Sequence, residues 1–183
     1  AGGGHVSKAI SSIAASLGFR IFIIDDREEF SNPTRFPEAE QTVVSDYGSA
    51  FKKLPIGTNS FIVIATRGHR YDASATAAAM KTPASYVGLL GSKRKTILIF
   101  EELFAEGFTM EEVQSVRSPI GLNISARTPE EIALSIMAEI VGFRLGGDGG
   151  TLKLDQRLID KAAEKADLRP ENASTPEAAV GVD

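Results

Sequence analysis

The sequence contains no cysteine and only two histidines among its 183 residues. The absence of cysteine excludes disulfide bonds, thiolate metal sites and a cysteine nucleophile. A metal site of histidine and carboxylate ligands would need both histidines, and their spacing does not favour one, so we expect no bound metal. The sequence also lacks a nucleophile elbow and a Walker lysine loop.

Long apolar runs and a strong charge of either sign are missing as well. No run reaches membrane length and no signal peptide is evident, so we expect a cytoplasmic protein without a membrane partner. The formal net charge of −4 argues against non-specific nucleic-acid binding. With 43% hydrophobic residues, the chain can bury one core.

The sequence opens with a glycine-rich loop, AGGGHVS. Gly2 permits a tight turn, and Gly4 lets the backbone approach a diphosphate. Apolar residues then recur at helical spacing up to Leu17, and the amino end of such a helix attracts anions. The loop indicates the phosphate-binding part of a dinucleotide fold, and we expect the strand that normally precedes it to be missing. His5 either contributes to this site or only begins the helix.

A buried strand is predicted at residues 20–24, and two carboxylates follow it. Asp25 or Asp26 at the strand end would reach the ribose diol of NAD. Arg27 could instead attract the 2′-phosphate of NADP, so the choice of nucleotide stays open. Ser7 replaces the third glycine of the motif, where only a small residue is needed. The alternative is a Rossmann-like fold that binds no nucleotide.

Further apolar runs predict parallel strands at residues 41–44, 61–65 and 86–90, and helices at residues 47–54, 72–80 and 92–105. This alternation indicates an α/β doubly wound parallel sheet, a Rossmann-like three-layer α/β/α fold that lacks its first strand. Capping boxes begin two more helices at Thr109 and Thr128. We expect a Rossmann-like domain over residues 1–144. Residues 145–183 should form a glycine-rich break, a short helix and a disordered tail from Arg169.

The segment GSKRK, residues 91–95, places three cations in the first turn of a predicted helix. Cations are unfavourable there because the helix dipole is positive at that end. An anionic ligand would relieve the conflict, with Ser92 capping the helix and Lys93 or Arg94 holding a phosphate. The alternative is a solvated basic turn or a salt bridge to Glu28 and Glu29.

The segment TRGHRYD, residues 66–72, follows the strand at 61–65. Thr66 and Gly68 could line a dinucleotide, while His69 and Asp72 are candidate catalytic residues that face a substrate. His69 could carry a proton because free histidine titrates near neutral pH. Alternatively, Asp72 caps the next helix and His69 hydrogen-bonds to it.

Four segments resemble the carboxyl-terminal Rossmann-type domain of the XdhC/CoxF family of xanthine dehydrogenase accessory proteins. They are GGGHVSKA with IIDDREEF, TRGHRYD, YVGLLGSKRK, and SPIGLNISARTPEEIALSIMAEIV. The resemblance covers residues 1–144. It implies a maturation factor that binds the molybdenum cofactor (molybdopterin or its dinucleotide form) and protects it during sulfuration. Its implied partners are a cofactor-sulfurating enzyme and an apoenzyme of the xanthine dehydrogenase type, which receives the cofactor.

The resemblance also implies a ligand crevice. Its residues are Gly2, Gly4, His5, Asp25, Asp26, Arg27, Thr66, Gly68, His69, Gly91, Ser92, Lys93 and Arg94. Two alternatives remain open, an NAD(P)-dependent oxidoreductase and a nucleotide-sensing module without chemistry. Whether any reaction is catalysed also stays open. The apolar helix after Thr128 favours a homodimer.

Overall fold

A computed structural model describes residues 1–167, and the tail predicted from Arg169 lies outside the described residues. The strands are β1 (Phe22–Asp25), β2 (Gln41–Val44), β3 (Phe61–Ile64) and β4 (Tyr86–Leu89). The helices are α1 (His5–Ser16), α2 (Tyr47–Lys53), α3 (His69–Met80), α4 (Lys93–Ala105), α5 (Met110–Ser115), α6 (Pro129–Leu145) and α7 (Gln156–Asp167). A short 3₁₀ turn spans Glu28–Phe30. The alternation of helices and strands confirms the predicted α/β class.

The strands are parallel, and the first two residues join the two halves of the sheet. β1 pairs with β2, and β3 pairs with β4. Between them, the Gly2 N–H donates to the Ile24 carbonyl at 2.7 Å, and the Ala65 N–H donates to the Ala1 carbonyl at 2.8 Å. The order is therefore β2, β1, residues 1–2, β3, β4. From residues 1–2 the chain first winds to β1 on one side and later crosses to β3 on the other side. This reversal at residues 1–2 is the topological switch point of a doubly wound sheet.

Residues 1–2 occupy only one end of this middle position in the sheet. The remainder is a cavity of about 730 Å³ between β1 and β3, which α1 and α6 also line. Its wall is mostly apolar and includes Ile10, Ile23, Phe51, Ile62 and Ile140. The prediction of a Rossmann-like parallel sheet is thus confirmed.

Side chains at alternating strand positions belong to two buried clusters, one on each face of the sheet. Ile24, Ile64 and Leu89 pack with α2, α3, α4 and α5 on one face. Ile23 and Tyr86 pack with Ile136 and other residues of α1 and α6 on the opposite face. This gives the three-layer arrangement.

The helix ends follow local signals in the sequence. Thr109 and Thr128 each complete a capping box with the glutamate three residues later, as predicted. Gly18 adopts a positive φ of 77° just after α1, in its predicted position. The beginning of α3 differs from the prediction, because this helix starts at His69 rather than at Asp72 and its N-cap is Gly68.

The chain divides into two compact units, residues 1–149 and residues 150–183. The first unit contains the whole sheet and the helices from α1 to α6. In the described part of the second unit, α7 lies within the segment 145–183, for which a short helix was predicted.

Candidate functional site

Four helices begin at one edge of the sheet, and three of them carry predicted site residues at or near their starts. α1 follows residues 1–2, α3 follows β3, and α4 follows β4. Because these segments run parallel, the amino ends of their helices meet at the carboxyl edge of the sheet. The N-caps of α1 and α3 are Gly4 and Gly68, and neither helix has a side-chain cap. Their first N–H groups therefore remain available to a ligand at this edge.

The glycine turn leaves no room for side chains on its inner side. Gly2 has a φ of 97°, and a Cβ on it would lie 2.1 Å from the Ala65 carbonyl oxygen. A Cβ on Gly3 would lie 1.8 Å from the Phe30 carbonyl oxygen. Around Gly4, by contrast, a Cβ would meet no atom within 4 Å. The turn is thus packed against the protein at Gly2 and Gly3 and open at Gly4.

Both peptide groups of Gly3 are held by side chains. Its N–H donates to Asp25 Oδ2 at 2.9 Å, and its carbonyl accepts from Arg35 Nε at 2.8 Å. Since the C=O and N–H of one peptide point in opposite directions, fixing the Gly3 carbonyl also fixes the Gly4 N–H. Asp25 and Arg35 therefore set the orientation of the loop.

Asp25 is 1% exposed, and both of its carboxylate oxygens are occupied. Besides Gly3, Oδ1 accepts from the Arg27 N–H at 3.1 Å and from Arg27 Nε at 3.0 Å. Burial alone would raise the pKa of Asp25, but the hydrogen bonds from Arg27 and Gly3 outweigh it and hold this pKa below its usual value. Arg27 also stacks over the Phe30 ring at 3.7 Å. Buried Asp25 and partly exposed Arg27 together support the loop.

Asp26 follows β1 at the carboxyl edge of the sheet and contacts the loop after β3. Its Oδ2 accepts from Arg67 Nη2 at 2.7 Å, and Arg67 also lies 4.4 Å from the centre of the Tyr71 ring. This contact links the loop after β1 with the loop after β3.

Asp72 is fully buried and organises the start of α3 from inside. Its Oδ1 accepts from the Thr66 N–H at 3.0 Å and from the Thr66 hydroxyl at 2.7 Å. Its Oδ2 forms an ion pair with Lys95 of α4. The alternative that Asp72 caps α3 is wrong, because Gly68 is the N-cap.

His69 is the first residue of α3 and is one-third exposed. Its Nδ1 lies 3.2 Å from Glu102 Oε1, and not beside Asp72 as the alternative prediction had it. Its Nε2 is shielded from solvent and has no hydrogen-bond partner among the described residues. His69 is therefore the candidate proton carrier with a ring nitrogen still available.

The cationic start of α4 has the predicted geometry. Ser92 is the N-cap and accepts from the Lys95 N–H at 3.3 Å. Lys93 and Arg94 occupy the next two positions and are exposed. Within residues 1–167, neither side chain has an ion-pair or hydrogen-bond partner, including the suggested Glu28 and Glu29.

The remaining predicted residues occupy less constrained positions. His5 is exposed on the first turn of α1. Gly68 has an extended backbone, and a Cβ on it would meet no atom within 4 Å. At Gly91 a Cβ would press against the Lys95 side chain at 3.0 Å. These three positions lie at or just before the starts of α1, α3 and α4.

Four residues at this edge were missed by sequence reasoning, namely Arg35, Arg67, Lys95 and Glu102. Arg67, Lys95 and Glu102 contact the predicted residues Asp26, Asp72 and His69, each across two segments of the chain. Arg35 contacts Gly3, which lies in the predicted glycine loop but was not itself singled out. Lys95 and Arg67 stood inside the segments that were singled out, so their charge was a usable signal. Arg35 and Glu102 carried no such signal.

Two cavities stand out within residues 1–167; Gly2 lines one of them, but neither is lined by His69, Lys93 or Arg94. One is the cavity between β1 and β3, and the other, of about 770 Å³, lies beside Arg117, Glu139 and Phe143. The candidate site is therefore an open surface. Within residues 1–167, no cluster of three or more histidine and carboxylate side chains could hold a metal ion.

In the part of the chain that the structure describes, no helix is both long and apolar enough to cross a membrane.

A comparison with protein-family models decides the relationship. The model of the XdhC Rossmann domain matches residues 1–140. This chain belongs to the XdhC Rossmann-domain family. The resemblance in the four segments is thereby confirmed, and the match spans the glycine loop, the sheet and most of α6.

Curated relatives of this chain include proteins from two bacteria. An uncharacterized protein, YqeB, from Escherichia coli K12 is 36% identical over 152 residues, which are 82% of this chain and 28% of the relative. A protein from Bacillus subtilis 168, named as a probable xanthine dehydrogenase subunit, is 27% identical over 78% of this chain and 41% of the relative. The molybdenum cofactor insertion chaperone PaoD from E. coli K12 is 27% identical over 76% of this chain and 37% of the relative.

A solved structure shows the same fold. A crystal structure described as a xanthine dehydrogenase from Bacillus halodurans matches with a TM-score of 0.68 and 25% identity, over 88% of this chain and 44% of that chain. The chain spans less than half the length of each of these relatives.

Proposed function

We propose that this XdhC-family domain binds the molybdenum cofactor and assists its insertion into a hydroxylase of the xanthine dehydrogenase type. The observation that carries the proposal is the exposed pair of cations, Lys93 and Arg94, which have no partner within residues 1–167 and begin a helix at the same sheet edge as the uncapped helix starts at Gly4 and Gly68. Positive charge without a protein partner at this edge fits an anionic ligand. The naming of one relative as a molybdenum cofactor insertion chaperone supports the same ligand.

The residues present fit a phosphate-bearing cofactor. N–H groups at the starts of α1 and α3 would donate hydrogen bonds to phosphate oxygens, and Gly4 leaves space for a close approach. Lys93 and Arg94 would neutralise the phosphate or diphosphate. The bound molybdenum centre would supply the oxygen-transfer chemistry of the client enzyme. The domain's own residues would hold the cofactor and limit its contact with water.

His69 is the residue that we assign to the chemically sensitive end of the ligand. Glu102 beside Nδ1 orients the ring, and Nε2, although shielded from solvent, has no hydrogen-bond partner among the described residues. This requires no catalysis by the domain, and we propose a carrier rather than an enzyme. Its partners in the proposal are the apoenzyme and a cofactor-sulfurating enzyme.

NAD(P) binding is the second candidate, and the sheet order favours it. The switch point beside Gly2 is where doubly wound folds hold dinucleotides. However, Asp25, the carboxylate at the end of β1, is already committed to Gly3 and Arg27. A nucleotide would have to engage its ribose through Asp26.

The test is a binding assay with the intact chain and molybdenum cofactor released from a molybdenum enzyme under anaerobic conditions. We expect saturable, near-stoichiometric binding, followed by pterin fluorescence and phosphate content after gel filtration. Replacing Lys93 and Arg94 together by glutamate should abolish binding. The matched control is Lys52→Glu with Lys53→Glu, which makes the same charge change at the far end of α2.

Two results would contradict this proposal. One is the absence of saturable cofactor binding by the wild-type chain. The other is equal loss of binding in the α2 control, which would reduce the effect to net charge. Titration with NADH and NADPH in parallel tests the second candidate, since nicotinamide fluorescence changes on binding.

A further inference from the structure

Asp26 and Arg67 form an ion pair between the two loops that flank the glycine turn. Arg67 Nη2 lies 2.7 Å from Asp26 Oδ2, although the residues are 41 positions apart in the chain. Asp26 follows β1, and Arg67 stands two residues after Ala65, whose carbonyl packs on Gly2. The pair therefore spans the edge where the turn opens.

The Asp26 carboxylate occupies a position that suits an external anion. Besides Arg67, the Arg27 guanidinium lies 3.7 Å from Asp26 Oδ1. That oxygen is shielded from solvent and has no hydrogen-bond partner among the described residues. One protein carboxylate thus sits between two guanidinium groups and uses only part of their donors.

We propose that Asp26 is an internal competitor that holds Arg67 until a phosphate group of the ligand displaces it, and that Arg67 then binds this phosphate. This inference rests on the anion site proposed above. It reverses the expected role of Asp26, which becomes a residue that opposes ligand binding rather than one that contacts the ligand.

The chemistry favours such an exchange. A guanidinium binds phosphate through paired N–H donors, and a phosphate group carries more charge than a single carboxylate. The side chains of Asp26 and Arg67 are 25% and 38% exposed, so their pairing is partly screened by water. Tyr71 also holds the Arg67 guanidinium, because Arg67 Nη2 donates to the Tyr71 hydroxyl at 2.5 Å and the ring centre lies 4.4 Å away. Arg67 can therefore change partner while its position is maintained.

Calorimetric titration of the 183-residue chain with inorganic pyrophosphate tests the inference. Asp26→Asn removes the competing charge at nearly constant shape, and we expect pyrophosphate affinity to rise about threefold to fivefold, the range typical of a partly exposed ion pair. Arg67→Gln should lower affinity by about tenfold, as for the loss of one charge-assisted contact. The matched control is Glu40→Gln, which breaks the exposed ion pair with Arg20 elsewhere.

The outcomes are separable. Tighter binding by Asp26→Asn with unchanged binding by Glu40→Gln supports the inference. Weaker binding by Asp26→Asn would overturn it and make Asp26 a ligand contact. Unchanged affinity in both the Asp26 and Arg67 variants would also overturn it and leave a surface ion pair.

Failure of the underlying function is recognised separately. If Asp26→Asn raises the pyrophosphate affinity as expected while the molybdenum cofactor does not bind, the role of Asp26 as a competitor is supported and the cofactor assignment fails. If neither wild type nor Asp26→Asn binds pyrophosphate, the competitor is refuted. Circular dichroism and thermal unfolding of each variant verify that the fold is retained.

Discussion

The carboxyl edge of the sheet carries two kinds of charge, buried and exposed. Asp25 and Asp72 are at most 1% exposed, and each is held by hydrogen bonds and a cation from its own chain. Lys93 and Arg94 are exposed and have no such partner within residues 1–167. Charged side chains that are paired within the protein hold the edge in place, whereas the exposed cations are the side chains that an anionic ligand would contact. Substitutions of Asp72, of Asp25, and of Lys93 with Arg94 test this division. Substitutions of Gly3 and Gly4 test the corresponding difference between the packed and the open part of the glycine loop.

Replacing Asp72 should have the largest effect on stability. Asp72→Ala would leave Lys95 without its counterion and the Thr66 N–H without its acceptor. Losing one partner of a buried ion pair typically costs about 3 to 5 kcal/mol. Urea denaturation measures the change in unfolding free energy. A cost below that of Glu40→Ala, which removes an exposed partner, would contradict the buried role.

The glycine loop offers a matched pair of substitutions. Gly3→Ala would force a Cβ against the Phe30 carbonyl oxygen and should cost about 2 to 3 kcal/mol, as overpacking does. Gly4→Ala points into open space and should change stability by less than about 0.5 kcal/mol. Thermal and urea unfolding of both variants compare the two positions. In the binding assay, Gly4→Ala should nevertheless weaken cofactor binding. Equal losses of stability in the Gly3 and Gly4 variants would contradict the difference between a packed and an open position in the loop.

Asp25 should contribute to the pH dependence of stability. Its pKa is lowered in the folded state, so its contribution is present above the unfolded pKa of about 3.9 and is lost as the pH falls through the folded pKa. Asp25→Asn should cost about 1 to 2 kcal/mol near neutral pH because Arg27 and Gly3 lose a charged acceptor. Unfolding free energies measured over the acidic range, from near neutral pH to below the folded pKa, should decline less steeply in the variant. An identical slope would show that Asp25 is not held ionised.

The exposed cations should matter least for stability. Lys93→Glu with Arg94→Glu should change the unfolding free energy by less than about 0.5 kcal/mol, and in the stabilising direction, because acidic residues suit the first turn of α4. Differential scanning calorimetry detects the sign. Clear destabilisation would show that these side chains hold the fold together. The distinction between buried charges that stabilise the fold and exposed charges that are left for a ligand would then be wrong.

Local sequence signals were sufficient for most of the fold. The apolar runs marked all four strands to within two residues, and the capping boxes at Thr109 and Thr128 marked helix starts. These signals work because strand burial and helix capping depend on neighbouring residues. The start of α3 was misplaced since Gly68 has no capping side chain, and Asp72 offered a false cap.

The candidate site was only partly predictable. Lys93 and Arg94 could be singled out because a cation at a helix start conflicts with a local rule. The partners of Asp25, Asp26 and Asp72 could not, since a carboxylate in a sequence does not state what it faces. The homodimer and the cytoplasmic location stay predictions. Light scattering of the intact chain would measure the former.

The sequence by itself determined the α/β class, the glycine turn and the cationic start of α4, because each depends on residue types at short spacing. Only the tertiary structure decided which charges remain for a ligand. It turned Asp25 inward to Gly3, joined Asp72 to Lys95, and placed Asp26 against Arg67. These contacts join segments that are adjacent only after the sheet assembles. Burial then encloses Asp25 and Asp72, whereas Lys93 and Arg94 stay exposed.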